Sequence, residues 1–358
     1  MSTAWPRDDL TGLLGIEHPL ILSPMSLSST PALAAAVTNA GGMGSLGCAE
    51  MPHREVRAQF EATRELTEGP FNINFFVHQP PAVPSDGAAV MREKLSPYYQ
   101  ELGLGEVPEL SCPFEPFGRE TLELVLELEP DVVSFHFGLP QPDMIDALKS
   151  AGATILSSAT TVSEARTLAS AGADAIIAQG SEAGGHRGSF EDPLVSGAVG
   201  TLALVPQVVD AVSVPVIAAG GIADGRGIAA AFALGASGVQ MGTAFLPCPE
   251  SGASPLYRKV LAGLRDDGTR LSRLYTGRLA RFIVDRLVGE LASFEDEAAP
   301  FPLQESLTSA LFTDSTKRES ADFGVLLSGQ AAPLNRILPA AELVDTLVAE
   351  AKAVLRER

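Results

Sequence analysis

Residues 154–188 read TILSSATTVSEARTLASAGADAIIAQGSEAGGHRG. The short apolar run Thr154–Ala159 is followed by Thr161-Val-Ser-Glu164, which has the spacing of a capping box. An Ala- and Leu-rich helical stretch then runs to Ala171-Gly172, where glycine stops it. A second apolar run, Ala175–Gly180, begins at once and passes into a loop with four glycines between Gly180 and Gly188. Two strands that are apolar almost throughout, joined by a helix, are the pattern of parallel strands buried on both faces.

Outward from this stretch the same unit recurs. Eight apolar runs can be counted: Leu20–Met25, Gly42–Gly47, Phe71–Phe76, Val132–Phe137, Thr154–Ala159, Ala175–Gly180, Val214–Gly220 and Gly238–Phe245. Helix signals fall between them. Ser29-Thr30-Pro31 supplies a cap and a first-turn proline, Asn39-Ala-Gly-Gly42 ends that helix, and Asp224 caps Gly225–Leu234. Eight βα units in one chain predict an α/β fold, a (β/α)8 TIM barrel over residues 1–249. Two stretches break the rhythm. Residues 77–120 form an insertion with Pro80-Pro81, Pro84 and Tyr98-Tyr99. Residues 250–358 read as mostly helical, at Tyr257–Leu264, Gln304–Phe312 and Ala340–Leu355. That is too long for one closing helix and predicts a helical lobe over the barrel mouth together with closing helices.

The chain has 358 residues, 46% of them hydrophobic, with 25 Lys+Arg against 44 Asp+Glu for a formal net charge of −19. The hydrophobic share is that of a folded chain. The acidic balance argues against nucleic acid or an anionic membrane as partner, since both demand basic surface. An anionic small molecule remains compatible, because a local pocket can carry the opposite sign. No apolar run is long enough to span a membrane, and Met1–Asp9 lacks the basic start and apolar stretch of an export signal. Three scattered cysteines (Cys48, Cys112, Cys248) read as reduced thiols of a cytoplasmic protein.

In such barrels chemistry collects at the C-terminal ends of the strands. There the seventh run ends in Gly220-Gly221 and the eighth passes Gly242-Thr243, where glycines let backbone N–H groups approach an anion such as a phosphate. Tight turns alone would also use them. The sixth run leads into Gln179 and the loop Gly184-Gly185-His186, which brings an imidazole that titrates near neutrality over the barrel axis. His136, flanked by Phe135 and Phe137, points inward as either a pocket residue or a hydrogen-bonded core histidine. Asn72 and Asn74 share one strand face and either pair across strands or receive the edge of a heteroaromatic ring. His18, His53 and His78 read as surface or loop residues. No metal-ligand spacing and no P-loop lysine occur, and the GxGxxG string Gly42–Gly47 is itself a strand, which disfavours a Rossmann site.

At these residues the sequence resembles the nitronate monooxygenase family (2-nitropropane dioxygenases) of FMN-dependent barrels. The likeness runs through Pro24-Met25, Asn39–Gly47, Phe71–Phe76, Ser134–Gly138, Gln179–Gly188, Ala219–Asp224, Met241–Phe245, Gly277–Arg281 and Pro302–Gln304. It implies an FMN whose phosphate lies on Gly220-Gly221 and Gly242-Thr243 and whose ring lies against Met25, Asn72 and Gln179, close to Gly184 and Gly185. It also implies His186 as the active-site histidine and His136 as a second pocket histidine, with Gln330 counted in the cofactor set. The implied reaction is oxidation of an alkyl nitronate, or a nitroalkane, by flavin and O2 to a carbonyl compound and nitrite. Two departures stand in the C-terminal lobe: Phe282 where the family usually has Gly, and Leu326–Ser328 before Gly329-Gln330 where it usually has a Trp-Ala-Gly-Gln-like segment. They bear on the substrate more than on the flavin. The competing readings are an FMN-dependent NAD(P)H enoyl-thioester reductase, a repurposed biosynthetic flavoenzyme of the same family, and a flavin-binding barrel without activity.

Overall fold

The computed structural model describes residues 5–191 and 198–356. The first four residues of the N-terminal segment read above lie outside it. The strands, numbered in chain order, are β1 (Leu20–Leu22), β2 (Gly44–Gly47), β3 (Phe71–Phe76), β4 (Val132–His136), β5 (Thr154–Ala159), β6 (Ala175–Gln179), β7 (Gly185–His186), β8 (Val216–Ala219), β9 (Gly238–Met241), β10 (Thr269–Ser272) and β11 (Ala280–Ile283). Eight of them form one parallel sheet in the order β1-β9-β8-β6-β5-β4-β3-β2. A parallel bridge between Ile21 and Met43 joins its two edges, with Leu22 N donating to Met43 O at 2.8 Å and Met43 N to Leu20 O at 2.9 Å. The sheet thus becomes a barrel, and each of the eight expected runs contains one of its strands.

Strand parity sorts the side chains. Ile73, Phe75, Val133, Phe135 and Ile155 face the surrounding helices, while Ile21, Met43, Val132, Leu156, Ile177 and Ile217 share an inner cluster with Leu10, Leu14 and Ile16 near the N-terminus. Two residues further along the strands the inward positions turn polar: Asn74, Ser134, Ser158, Gln179 and Gln240. The interior therefore runs from dry at the N-terminal end to hydrogen-bonding at the C-terminal end, which is where a ligand can be held.

The C-terminal residues serve two structures. The helix Ala340–Arg356 buries Leu343, Val344 and Leu347 against Leu33 and Val37 of the helix Pro31–Asn39 and against Ile228 and Phe232 of the helix Gly225–Ala233. It approaches the latter so closely that a Cβ on Gly225 would lie 2.3 Å from Glu350 Cβ. It therefore fills the eighth helical position of the barrel. The intervening lobe is not wholly helical. It contributes β10 and β11, which pair antiparallel with β7, so that Ala280 lies opposite His186 and Arg281 opposite Gly185. The insertion joins the lobe: Met91, Leu95, Tyr98 and Tyr99 on the helix Ala89–Leu102 share one apolar cluster with Leu303, Leu307 and Leu311, and Tyr99 donates to Leu307 O at 2.8 Å.

Candidate active site

Phe76 and His136 lie opposite each other at the ends of β3 and β4, both facing inward. Beyond them the backbone turns left-handed at Phe137 (φ 72°) and Gly138 (φ 110°), a conformation uncommon for a bulky side chain and concentrated at functional sites. From β6 the glycine loop returns over the barrel as β7. It is held there by close packing: a Cβ on Gly184 would fall 2.5 Å from Gly329 N and 2.7 Å from Ser328 C. Gln179 ties the loop from below, donating to His186 O at 2.9 Å and accepting from Gly188 N at 2.8 Å. His136 Nε2–H donates to the same His186 carbonyl at 3.0 Å.

His186 lies partly exposed above these groups. Its Nε2 is 2.9 Å from Thr276 Oγ1, and that hydroxyl donates to Arg278 O at 3.3 Å, so the imidazole proton is assigned to Nε2 and Nδ1 keeps its lone pair. Phe76, Phe137 and Phe301 surround the ring with centroids at 5.9, 5.9 and 5.4 Å. Burial, then the neighbouring His136 and the charges of Arg278 and His78, push His186 down to about 3. Burial, with Arg278 and Arg187 adding to it, likewise takes His136 to about 4. Both imidazoles are neutral at physiological pH.

The positive charge comes from arginines. Arg187, Arg278 and Arg281 are all buried, at 4%, 8% and 7% exposure. Arg278 stacks 3.8 Å above Phe137 and donates to Ser189 O; Arg187 donates to Gln179 O at 2.8 Å; Arg281 clamps Ser181 O at 2.9 and 2.8 Å. Burial lowers Arg187 and Arg278 to about 10, well above neutral pH, so both remain cations. Glu164 supports them. It is 1% exposed, accepts from Thr160 N and Oγ1 at 2.6 and 2.7 Å, and accepts from Phe190 N at 2.8 Å. The expected capping box is thus only half made: Thr161 Oγ1 accepts from Glu164 N, but the carboxylate turns away to pin the exit of the glycine loop and to offset the buried arginines. A chain of net charge −19 in this way holds a cationic pocket.

The residues expected to hold a cofactor fall on the opposite arc of the mouth. Gly220 (φ 104°) and Gly221 (φ 72°) turn in the left-handed region, and a Cβ on Gly242 would fall 3.1 Å from Ser23 Cβ and 3.4 Å from Met25 Sδ. Thr243 accepts from Gly329 N at 2.9 Å. Asn74 is satisfied across strands by Ser134 O and Oγ at 3.1 and 2.9 Å, as a structural amide would be. Asn72 differs. Its amide donates to Ser45 Oγ at 3.1 Å, but its fully buried Oδ1 has no partner, and neither has Gln240 Oε1. A buried acceptor left alone is destabilising by about 1–3 kcal/mol. Both side chains stand at inward positions of the barrel, Asn72 level with Val132 and Gln240 level with Ala219, and an unmatched acceptor there fits a ligand with a ring N–H, as a flavin has.

The model of the family described as nitronate monooxygenase matches residues 7–350. The chain belongs to the nitronate monooxygenase family. It is a flavin-dependent oxidoreductase that acts on nitronates. A nitronate monooxygenase of Pseudomonas aeruginosa is 45% identical over 96% of this chain and 99% of its own. A probable nitronate monooxygenase of Staphylococcus saprophyticus is 37% identical over 97% and 98%. Among solved structures, nitroalkane oxidase from Streptomyces ansochromogenes is similar with a TM-score of 0.88 and 38% identity, covering 98% of this chain and 99% of that one. FabK from Thermotoga maritima is more distant, at a TM-score of 0.76 and 30% identity over 99% and 98%.

The departures from the family pattern resolve into different environments. Phe282 points away from the pocket into the lobe core, 1% exposed and 5.2 Å from the Tyr275 ring, because β11 sends Ala280 and Phe282 to one side and Arg281 to the other. Ser328 is buried against Gly184, while Gln330 is exposed and reaches the site only through its backbone N–H, which donates to Glu182 O at 3.0 Å. Two histidines read as surface or loop residues do lie on irregular backbone but are buried rather than exposed. His18 is 8% exposed and stands edge-on to Trp5, and His78 is 4% exposed within the aromatic wall of the site. Thr276, Arg278, Phe301 and Glu164 carried no motif of their own as site residues. Among the described residues no group of His, Cys, Asp and Glu could hold a metal ion, and no helix is long and apolar enough to cross a membrane.

Proposed function

We propose that this enzyme binds FMN across the mouth of the barrel and oxidises alkyl nitronates with O2 to a carbonyl compound and nitrite. The phosphate lies on the turns at Gly220-Gly221 and Gly242-Thr243. Met25, Asn72, Gln179, Gly184 and Gly185 would hold its ring, with His186 and His136 left for the substrate. The observation that carries this reading is the neutral His186 placed between three phenylalanines and buried Arg278, in a barrel whose inward amides Asn72 and Gln240 each leave an oxygen unmatched. When bound, FMN supplies the redox chemistry, drawing electrons from the nitronate and returning them to O2.

This chain's own groups bind and orient. Arg278 and Arg187 give the pocket the positive potential that a nitronate anion requires. Four aromatic side chains (Phe76, Phe114, Phe137 and Phe301) exclude water around its alkyl group. His186 offers Nδ1 to a proton on the carbon next to the nitro group. Each pKa unit is worth about 1.4 kcal/mol, so an imidazole held near 3 is a poor base toward a neutral nitroalkane. Preformed nitronates are therefore the better substrates. The partners are these small molecules and O2, and we place the enzyme in the reducing cytoplasm, where its three unpaired cysteines stay thiols.

The test is oxygen uptake by the flavin-loaded enzyme on adding ethyl nitronate, without NADH. Rapid uptake with nitrite release supports the reading. No uptake, followed by NADH oxidation with an enoyl thioester, would transfer the pocket to reductase chemistry, the alternative that the likeness to FabK keeps in view. Mass analysis of the released flavin separates FMN from the dinucleotide.

A further inference from the structure

His78 is the next inward position after Asn72, Asn74 and Phe76, since the β3 ladder continues one step past Phe76 through Val77 N, which donates to His136 O at 3.0 Å. Its ring stands edge-on to Phe301 at 5.0 Å and to Phe114 at 5.7 Å, with interplanar angles of 83° and 82°. Phe301 in turn lies 5.4 Å from His186 and 5.8 Å from the Arg278 guanidinium. His78 is 4% exposed, and both of its ring nitrogens lack a hydrogen-bond partner. The other two pocket imidazoles each have one, His136 to the His186 carbonyl and His186 to Thr276. A phenylalanine would fill this place among phenylalanines without leaving two buried polar atoms unmatched, so packing does not account for the imidazole.

We infer that His78 binds the substrate, donating an imidazole N–H to a nitro oxygen of the nitronate held between His186 and Arg278. The inference rests on the nitronate reading of the pocket. Phe114 now covers His78. It is half-buried, sits on irregular backbone between the helices Ala89–Leu102 and Arg119–Leu128, and lines a cavity of about 390 Å³ with Phe76 and Phe117. That space is the room into which its ring would have to turn for substrate to reach His78. Burial and Arg278 hold His78 at about 4, so it acts as a neutral donor throughout the working range.

The deciding variant is His78→Phe in the flavin-loaded enzyme, with ethyl nitronate as the probe. The expected result is a KM at least tenfold higher, with kcat and flavin content within about threefold of wild type, since one hydrogen bond to a charged group is worth about 1.5–3 kcal/mol. His78→Asn, which restores a donor, is expected to recover part of the loss and covers the case in which the Phe variant does not fold. An unchanged KM in His78→Phe would reduce the residue to packing, and loss of flavin would make it a cofactor contact; either overturns the inference. If wild type itself does not consume oxygen with ethyl nitronate, the nitronate reading has failed, an outcome distinct from a wild-type-like His78→Phe.

Discussion

The two arcs of the barrel mouth are built from different materials. The arc at the ends of β8 and β9 is backbone: Gly220 and Gly221 in the left-handed region, Gly242 against Ser23, and Thr243 tied to Gly329. The arc at the ends of β3 and β4 is side chain: three histidines, four phenylalanines and Arg278, drawn from the barrel, the insertion and the lobe. A backbone arc suits a ligand part that never varies, such as a phosphate. A side-chain arc can be retuned by single substitutions without disturbing the first.

If that division holds, Gly221→Val has the largest effect and removes the flavin. A branched residue at φ 72° is strained by about 1–3 kcal/mol, and its Cβ would press within 3.3 Å of Glu182 Cβ. Normal flavin absorbance in the purified variant would refute the assignment of this turn. His186→Ala should keep its flavin and lose roughly 10²-fold in kcat/KM on neutral nitroalkanes, the low end for a general base because an imidazole held near 3 is a poor one, with a smaller loss on preformed nitronates. Equal losses on both substrates would remove the proton-transfer role. Arg278→Met should raise KM for nitronate anions by about 10–100-fold, the equivalent of one charge-assisted hydrogen bond, and affect neutral nitroalkanes less. A uniform effect would mean that Arg278 only shapes the wall.

The smallest effect concerns acid stability. His78, His136 and His186 have folded values of about 4, 4 and 3, against 6.5 for an unperturbed histidine. The unfolded chain therefore binds more protons between these limits. Their contribution to stability is complete above pH 6.5 and is lost as the pH falls toward 4. The melting temperature of His78→Phe should rise relative to that of wild type across that window as the pH drops, because only wild type loses the His78 contribution, and a constant difference would show that His78 does not titrate differently in the two states.

The backbone arc was legible in the sequence and the side-chain arc was only partly so, for one physical reason. A glycine turn at a strand end declares itself locally, and the eight apolar runs declare the barrel that carries it. His186 and His136 were visible because each sits on a strand end or in a glycine loop. His78 does lie on irregular backbone beside Pro80-Pro81, and what that reading concealed is its burial, although the alternation Asn72, Asn74, Phe76, His78 continues inward. Thr276, Arg278 and Phe301 reach His186 across some ninety or more residues of chain, through the pairing of β11 with β7, and no local pattern reports that encounter. The same long-range pairing decides the fate of Phe282, which strand parity hides in the lobe core. Glu164 has the spacing of half a capping box, but its carboxylate accepts from Thr160 N and Oγ1 and from Phe190 N, which leaves its charge near enough to favour the cationic forms of Arg187 and Arg278.

The lobe is spliced between the last strand of the barrel and its last helix, and this has a consequence for synthesis. When β9 leaves the ribosome, the groove between the helices Pro31–Asn39 and Gly225–Ala233 is still bare of the segment Ala340–Arg356 that will cover it. Translation must first pass residues 242–339, which at about 5–20 residues per second is a wait of roughly 5–20 s. During that interval Leu33, Val37, Ile228 and Phe232 are available to chaperones or to another nascent chain. A ribosome that stops short releases an uncapped barrel, whereas a complete chain closes the last groove of the barrel with that helix.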